Sequence, residues 1–249
     1  MKRLLYVPFL FLLLILIGCG RAAYSTTASS TSAKASDSGY DYEVIDEGVR
    51  ITRSHLNMQA IETPSLILPS QIGEMPVKVI GNGAFYNLDM ESCLFPEELM
   101  VIEGGAFYRC GFLREVVLPQ NVVEVGSTAF SKCLSLENIF VDPRNPAYID
   151  VDGILFTKDM RELVYYPEGR TKDIVYAIPE TVTRMENPFF YKTHVKELII
   201  PPTVVEFPSY PTLDGPDNVI IYVTKDSAGE AYFREYWHPN RIEQLLVVN

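Results

Sequence analysis

From Tyr40 onward the chain repeats one short unit, and that repetition restricts its possible folds more than any other feature. Gly81-Asn82-Gly83-Ala84-Phe85-Tyr86-Asn87-Leu88 returns as Gly104-Gly105-Ala106-Phe107-Tyr108-Arg109-Cys110 and as Gly126-Ser127-Thr128-Ala129-Phe130-Ser131-Lys132-Cys133. The Ala-Phe pairs at 84, 106 and 129 are 22 and 23 residues apart, and Phe189-Phe190 is a weaker copy. Between them lie short apolar runs that end in proline: Leu66-Ile67-Leu68-Pro69, Cys93-Leu94-Phe95-Pro96, Val116-Val117-Leu118-Pro119 and Leu198-Ile199-Ile200-Pro201. A unit of this size holds a strand, a turn and a return segment. It cannot bury its own apolar face, so neighbouring units must stack. Proline has no N–H and closes each strand without needing a ladder partner. Two-residue alternation turns Leu113, Val116 and Leu118 inward and Glu115 and Val117 outward. Phe85, Phe107, Phe130 and Phe190 are expected to stack as a spine on the return side.

The period is that of leucine-rich repeats. The pattern Ile-Gly-x-x-Ala-Phe-x-x-Cys-x-x-Leu-x-x-Val-x-Leu-Pro-x-x-Val closely resembles the BspA-like class of bacterial leucine-rich repeat surface proteins, over roughly residues 44–235. The stretch from Arg144-Asn145-Pro146-Ala147-Tyr148 through Asp152-Gly153-Ile154-Leu155-Phe156 to Leu163-Val164-Tyr165-Tyr166-Pro167 resembles that family's hairpin insertion. The resemblance implies an elongated, curved, right-handed α/β solenoid of short parallel strands with a binding role, often adhesive. The chain departs from the pattern at Leu88 and Thr193, near the usual cysteine position, and in a degenerate unit at Met185 to Pro188.

The insertion, about residues 142–177, accounts for the 60 residues between Pro119 and Pro179. Asp152-Gly153 between apolar strands predicts a two-residue hairpin turn. Both ends of a solenoid need caps. Tyr40 to Arg53, turning at Glu47-Gly48, reads as a capping hairpin. Ser227-Ala228-Gly229-Glu230 reads as a capping box that opens a C-terminal helix, which should stop before Pro239. The repeat domain therefore spans 40–249.

The N-terminus carries an address. Lys2 and Arg3 precede Leu4 to Ile17, 14 residues without charge, too few to span a bilayer core that needs about 20 helical residues. This is the form of a secretory signal. Leu16-Ile17-Gly18-Cys19 resembles the lipobox of bacterial lipoproteins, which implies a signal peptide at 1–18 and fatty acid, palmitate among others, on Cys19. An ordinary cut after Ala22 or Ala23 is the alternative. Residues 20–39 hold 16 Ala, Ser, Thr or Gly in 20 positions and are expected to be a disordered tether. Such a coil averages roughly 25 Å end to end and stretches to about 65 Å. The expected location is the cell envelope, either surface or periplasm.

The net charge of −11 becomes −13 once Lys2 and Arg3 are removed, which argues against nucleic acid as a partner. An acidic surface also repels anionic lipid, so membrane contact is expected through the anchor only. His55, His194 and His238 are far apart in sequence and read as surface or cap residues. No metalloprotease, nucleophile-elbow or phosphate-cradling motif is present, so the reading is non-enzymatic, with no metal or cofactor. Asp150-Val151-Asp152-Gly153 lacks the later ligands of a calcium loop. Cys93, Cys110 and Cys133 read as core residues, and Cys110 and Cys133 fall on adjacent coils close enough for a disulfide to be conceivable.

The candidate binding face is the outward ladder just before each strand's last apolar residue: Ile67, Leu94, Val117, Phe140, Ala177 and Ile199. A more polar column, Ser92, Glu115, Asn138 and Glu197, runs beside it. β-propensity alone accounts for apolar residues in such a sheet. A contiguous exposed apolar patch instead marks a docking surface for a protein partner, from host or bacterial surface, or for a second copy in an envelope scaffold. Phe140, the one aromatic residue near the middle of the ladder, is its candidate hot spot.

Overall fold

Each repeat forms one coil, in which a strand of the ladder sheet, a proline turn, a shorter strand on the opposite side and a tight return turn follow one another. The computed structural model describes residues 34–37, 39–56, 65–185, 193–208, 219–236 and 245–249. All of these lie in one compact unit, Ser32–Asn249. The expected signal peptide at 1–18, Cys19, Pro188, Phe189, Phe190, His238 and Pro239 lie outside the described residues.

An antiparallel cap comes first: β1 (Lys34–Asp37), β2 (Tyr40–Ile45) and β3 (Gly48–Ser54). β4 (Ser65–Ile67), the short β5 (Gln71–Ile72) and β6 (Met75–Ile80) open the coils. They continue with β7 (Ser92–Leu94), β8 (Val101–Ile102), β9 (Glu115–Leu118), β10 (Glu124–Val125) and β11 (Asn138–Val141). The insertion is β12 (Tyr148–Val151), β13 (Ile154–Thr157) and β14 (Glu162–Tyr165). Then follow β15 (Val175–Ala177), β16 (Arg184–Met185), β17 (Glu197–Ile200), β18 (Ile220–Thr224), α1 (Ala228–Tyr236) and β19 (Leu245–Val248).

The ladder strands form two parallel sheets, β4-β7-β9-β11 and β15-β17-β18-β19. On the opposite side β3-β6-β8-β10 pair in parallel, continuing the cap, and β16 pairs in parallel with β14 of the insertion. Inward and outward positions follow the alternation: Leu113, Val116 and Leu118 are buried, Glu115 and Val117 exposed. The return segments are turns, not helices. In each, an N–H donates three residues back (Ala84 to Gly81, Ala106 to Glu103, Ala129 to Gly126), and Asn87, Arg109 or Lys132 in the left-handed region ends the turn.

The first three members of the expected phenylalanine spine stack on one another. Phe85 and Phe107 stack at 5.1 Å, and Phe107 and Phe130 at 5.5 Å, nearly parallel. Tyr40 closes one end edge-on to Phe85, and Tyr165 of the insertion closes the other edge-on to Phe130. The repeat cysteines are free. Cys110 Sγ donates to the Phe85 carbonyl at 3.0 Å, and Cys133 Sγ to the Phe107 carbonyl at 3.1 Å, so each thiol ties its coil to the one before. Burial pushes the Cys93 and Cys133 thiols up, which disfavours the thiolate form.

The insertion does more than bridge a gap. Asp152 and Gly153, both at positive φ, make the expected turn. Asn145 begins the insertion and is fully satisfied: its amide donates to the Pro119 and Val122 carbonyls, and its oxygen accepts from the Ala147 and Tyr148 N–H groups. β13 then alternates between two separate cores. Leu155 belongs to the first, which runs from Tyr40 to Tyr165; Ile154 and Phe156 belong to the second, which runs on to Leu245. A bulge opposite Leu155 and Phe156 lets Val164 and Tyr165 both face the first core, while Leu163 and Tyr166 face the second. The hairpin is thus a septum buried on both faces.

Two ends differ from expectation. β1 occupies Lys34–Asp37, within the stretch assigned to the tether, and pairs with β2 from Lys34 opposite Glu43 to Asp37 opposite Tyr40. Ladder pairing draws on main-chain N–H and C=O groups, which a Ser- and Ala-rich segment possesses like any other. At the C-terminal end the Glu230 N–H donates to Ser227 Oγ at 3.2 Å, as a capping box requires, although the Glu230 carboxylate reaches back to the Asp226 N–H instead of that of Ser227. Helix α1 does not close the ladder; β19 follows it and takes the sheet edge.

Candidate functional site

The ladder residues are exposed. Ile67, Leu94, Val117, Phe140 and Ile199 retain 69, 56, 46, 38 and 40% of their accessible surface. Strand register sets Ile67 beside Leu94 and Phe140 beside Val117, and the pairing of β7 with β9 joins the two pairs into one row. The polar column runs alongside as Ser65, Ser92, Glu115 and Asn138, with Ser92 Oγ donating to Ser65 Oγ at 2.9 Å.

The structure divides the expected single ladder of six. Ala177 and Ile199 lie side by side on the second sheet, and among the described strands none joins β11 to β15. β11 turns to the insertion instead: the Ile139 N–H donates to the Gly153 carbonyl at 2.9 Å. Phe140 accordingly stands on the last strand of the first segment, not at the middle of a continuous ladder. The second segment is longer than the sequence suggested, because Tyr222 and Leu246 continue the row from Ile199. The alternation in Ile220–Thr224 was the available signal, obscured because no proline follows it. Burial, and then a hydrogen bond to Glu197 in the neighbouring column, push the Tyr222 phenol above its ordinary value.

Between the two segments sits a charge that sequence reasoning missed. The Arg170 side chain is 1% exposed. Its Nε donates to Asp173 Oδ2 at 2.8 Å, and its Nη atoms donate to the carbonyl of Asp152 at 2.6 Å, to Asp152 Oδ2 at 3.1 Å and to the Glu137 carbonyl at 3.4 Å. The guanidinium also lies 5.6 Å from the centre of the Tyr166 ring. Burial opposes its charge, but the Asp173 hydrogen bond and carboxylate outweigh this and raise its pKa. Lys172, then Arg170, hold the Asp152 carboxyl below its usual range. Gly169 permits this placement, since a Cβ there would strike the backbone of Ser135 and Leu136. Arg170 therefore fastens β11, the hairpin turn and the start of the second half to one another.

The other candidates are separate. His55 is exposed and bonds Asp41 at 2.9 Å; His194 is exposed on a different coil. Asp150 accepts from the Val141 N–H at 2.9 Å, and Asp152 is held by Arg170 and Lys172, so both carboxylates serve the hairpin. Among the described residues no group of three or more His, Cys, Asp or Glu side chains is arranged to hold a metal ion.

The coils, the alternating burial and the stacked return turns define a leucine-rich repeat solenoid. Residues 64–153 match, in six copies, the family model described as BspA type leucine rich repeat region. A leucine-rich repeat protein from Eubacterium ventriosum is similar in structure, with a TM-score of 0.50 at 16% identity, over 77% of this chain and 73% of that one. The pneumococcal vaccine antigen PcpA aligns at 0.42 and 14% identity, over 79% of this chain and 73% of its own. A leucine rich cell surface protein from Faecalibacterium prausnitzii aligns at 0.37 and 17% identity, over 78% and 77%. No curated protein matches the chain in sequence.

Proposed function

We propose that this is an exported, lipid-anchored, non-enzymatic recognition module of the bacterial cell envelope, which binds a partner protein through the ladder face. The observation that carries the reading is the uninterrupted exposed row Ile67, Leu94, Val117 and Phe140, with Ile199 continuing the pattern on the second sheet. Contiguous apolar side chains on a water-facing sheet cost solvation free energy until a partner covers them. The match of residues 64–153 to the BspA-type repeat supports a surface role. In this reading Cys19 carries the acyl chains and residues 20–33 supply reach. Among the described residues no helix is long and apolar enough to cross a membrane.

The test compares wild type, Phe140→Glu and Cys19→Ala. Labelled palmitate should enter the wild type and not Cys19→Ala. Capture of surface proteins by the full chain should be lost in Phe140→Glu with unchanged far-UV circular dichroism. Label retained in Cys19→Ala removes the anchor from the reading, and undiminished capture by Phe140→Glu removes the ladder.

A further inference from the structure

We propose that the cleft between β3 and the first return turn is a second binding site, independent of the ladder, for a sugar ring that carries a carboxylate. The cleft has a volume of about 450 Å³, within the range of small-molecule sites. Its floor is the end of an aromatic column. Tyr108 covers one face of Tyr86, nearly parallel at 5.8 Å, and Lys132 Nζ lies 5.3 Å from the Tyr108 ring centre, one coil further on. Tyr86 keeps 53% of its surface exposed and lines the cleft on the side of β3, where the Ser54 N–H donates to the Ala84 carbonyl. A ring bound in the cleft would extend the column by one place.

The remaining lining selects the kind of ring. Thr52 and Ser54 present hydroxyls. Asn82 also lines the cleft; its Nδ2 is bound to the Gly104 carbonyl, which leaves Oδ1 free of that bond as an acceptor. Ser54 Oγ accepts from the Leu56 N–H at 3.2 Å and keeps its own proton to donate. An aromatic ligand would desolvate these groups without bonding them; a sugar offers one apolar face to Tyr86 and hydroxyls to the rim. Arg53 supplies the charge preference. Two acids border the cleft or Arg53 and both have partners: Glu103 accepts from Arg50 at 2.6 Å and from the N–H of the lining residue Asn82 at 2.8 Å, and Asp41, opposite Arg53 in the register, bonds His55. Among the described residues Arg53 makes no ion pair, so its planar fork is available to a carboxylate.

Saturation-transfer difference NMR of the full chain with methyl β-glucuronide, the methyl glycoside of sialic acid and methyl β-glucoside tests the proposal. At least one acidic glycoside should give ring-proton saturation about tenfold above the glucoside, and the stronger of the two identifies the sugar. Tyr86→Ala should abolish the signal, Tyr86→Phe should keep it, and Arg53→Met should reduce the acidic sugar to the level of the neutral one. Absence of saturation by both acidic glycosides overturns the proposal, as does a signal that survives Tyr86→Ala or Arg53→Met undiminished.

Discussion

Arg170→Met keeps most of the side-chain volume and removes only the guanidinium, so it isolates what that group contributes. Its bond to Asp173 at 2.8 Å joins two charges of which Asp173 is only 20% exposed, and a bond of this kind is worth about 2 kcal/mol. The carbonyls of Asp152 and Glu137 lose a donor, at about 0.5–1 kcal/mol each. The Asp152 carboxylate is 64% exposed and keeps Lys172, so water screens its share and it is left out of the sum. The expected loss is about 3–4 kcal/mol in equilibrium urea unfolding followed by circular dichroism. Location matters as much as size. The second core depends on the septum that Arg170 fastens, so native-state hydrogen exchange should accelerate most in β15, β17 and β18, and least in β6, β8 and β10. Arg170→Lys, with a charge but no planar fork, should recover less than half of the loss. A loss below about 1 kcal/mol, or equal acceleration on both sides of the septum, would refute the reasoning.

Phe107 is fully buried, with a stacked ring on either side and Phe95 tilted against it at 5.6 Å. Phe107→Ala should cost about 3–5 kcal/mol in urea unfolding, and a cost below about 1.5 kcal/mol would mean that the spine closes up around the cavity. Acid should destabilise the protein through Asp152, held low by Lys172 and Arg170, and Glu230, held low by Arg234 and by the Asp226 N–H. Because their folded pKa values lie below the ordinary ones, their contribution is complete above the unfolded carboxylate range, about pH 4, and is lost as pH falls through the lowered values. The urea midpoint should drop between pH 5 and pH 3, and drop less in Asp152→Asn/Glu230→Gln; an equal drop in the double variant contradicts the assignment.

The coils were legible because each one repeats the same local chemistry: a proline at the strand end, an Ala-Phe turn and a period of two between them. The inward set of β9 and the Phe85–Phe107–Phe130 stack followed from those three signals alone. The insertion was visible as a hairpin through Asp152-Gly153, but its double-sided burial was not. Ile154-Leu155-Phe156 and Leu163-Val164-Tyr165-Tyr166 read as generic apolar runs, and only the second half of the fold supplies the face that their outer side covers. Arg170 was hidden for a related reason. Its acceptors come from Glu137, Asp152 and Asp173, and no spacing in the sequence marks an arginine whose partners are main-chain carbonyls. The ladder was legible residue by residue but not in its continuity, because strand order across the insertion depends on which strand β11 pairs with.

The septum also decides where mechanical load would travel. If the chain is held at its N-terminal end and gripped on the first ladder segment, tension enters through β1 and β2 and leaves through β4 to β11, all of which belong to the cap and the first core. The second core then lies outside the force path and can stay folded while coils ahead of the hairpin peel apart one pairing at a time. A grip on Ile199, Tyr222 and Leu246 would instead draw the whole pull through β13 and β14, with Arg170 as the rivet between the two spans.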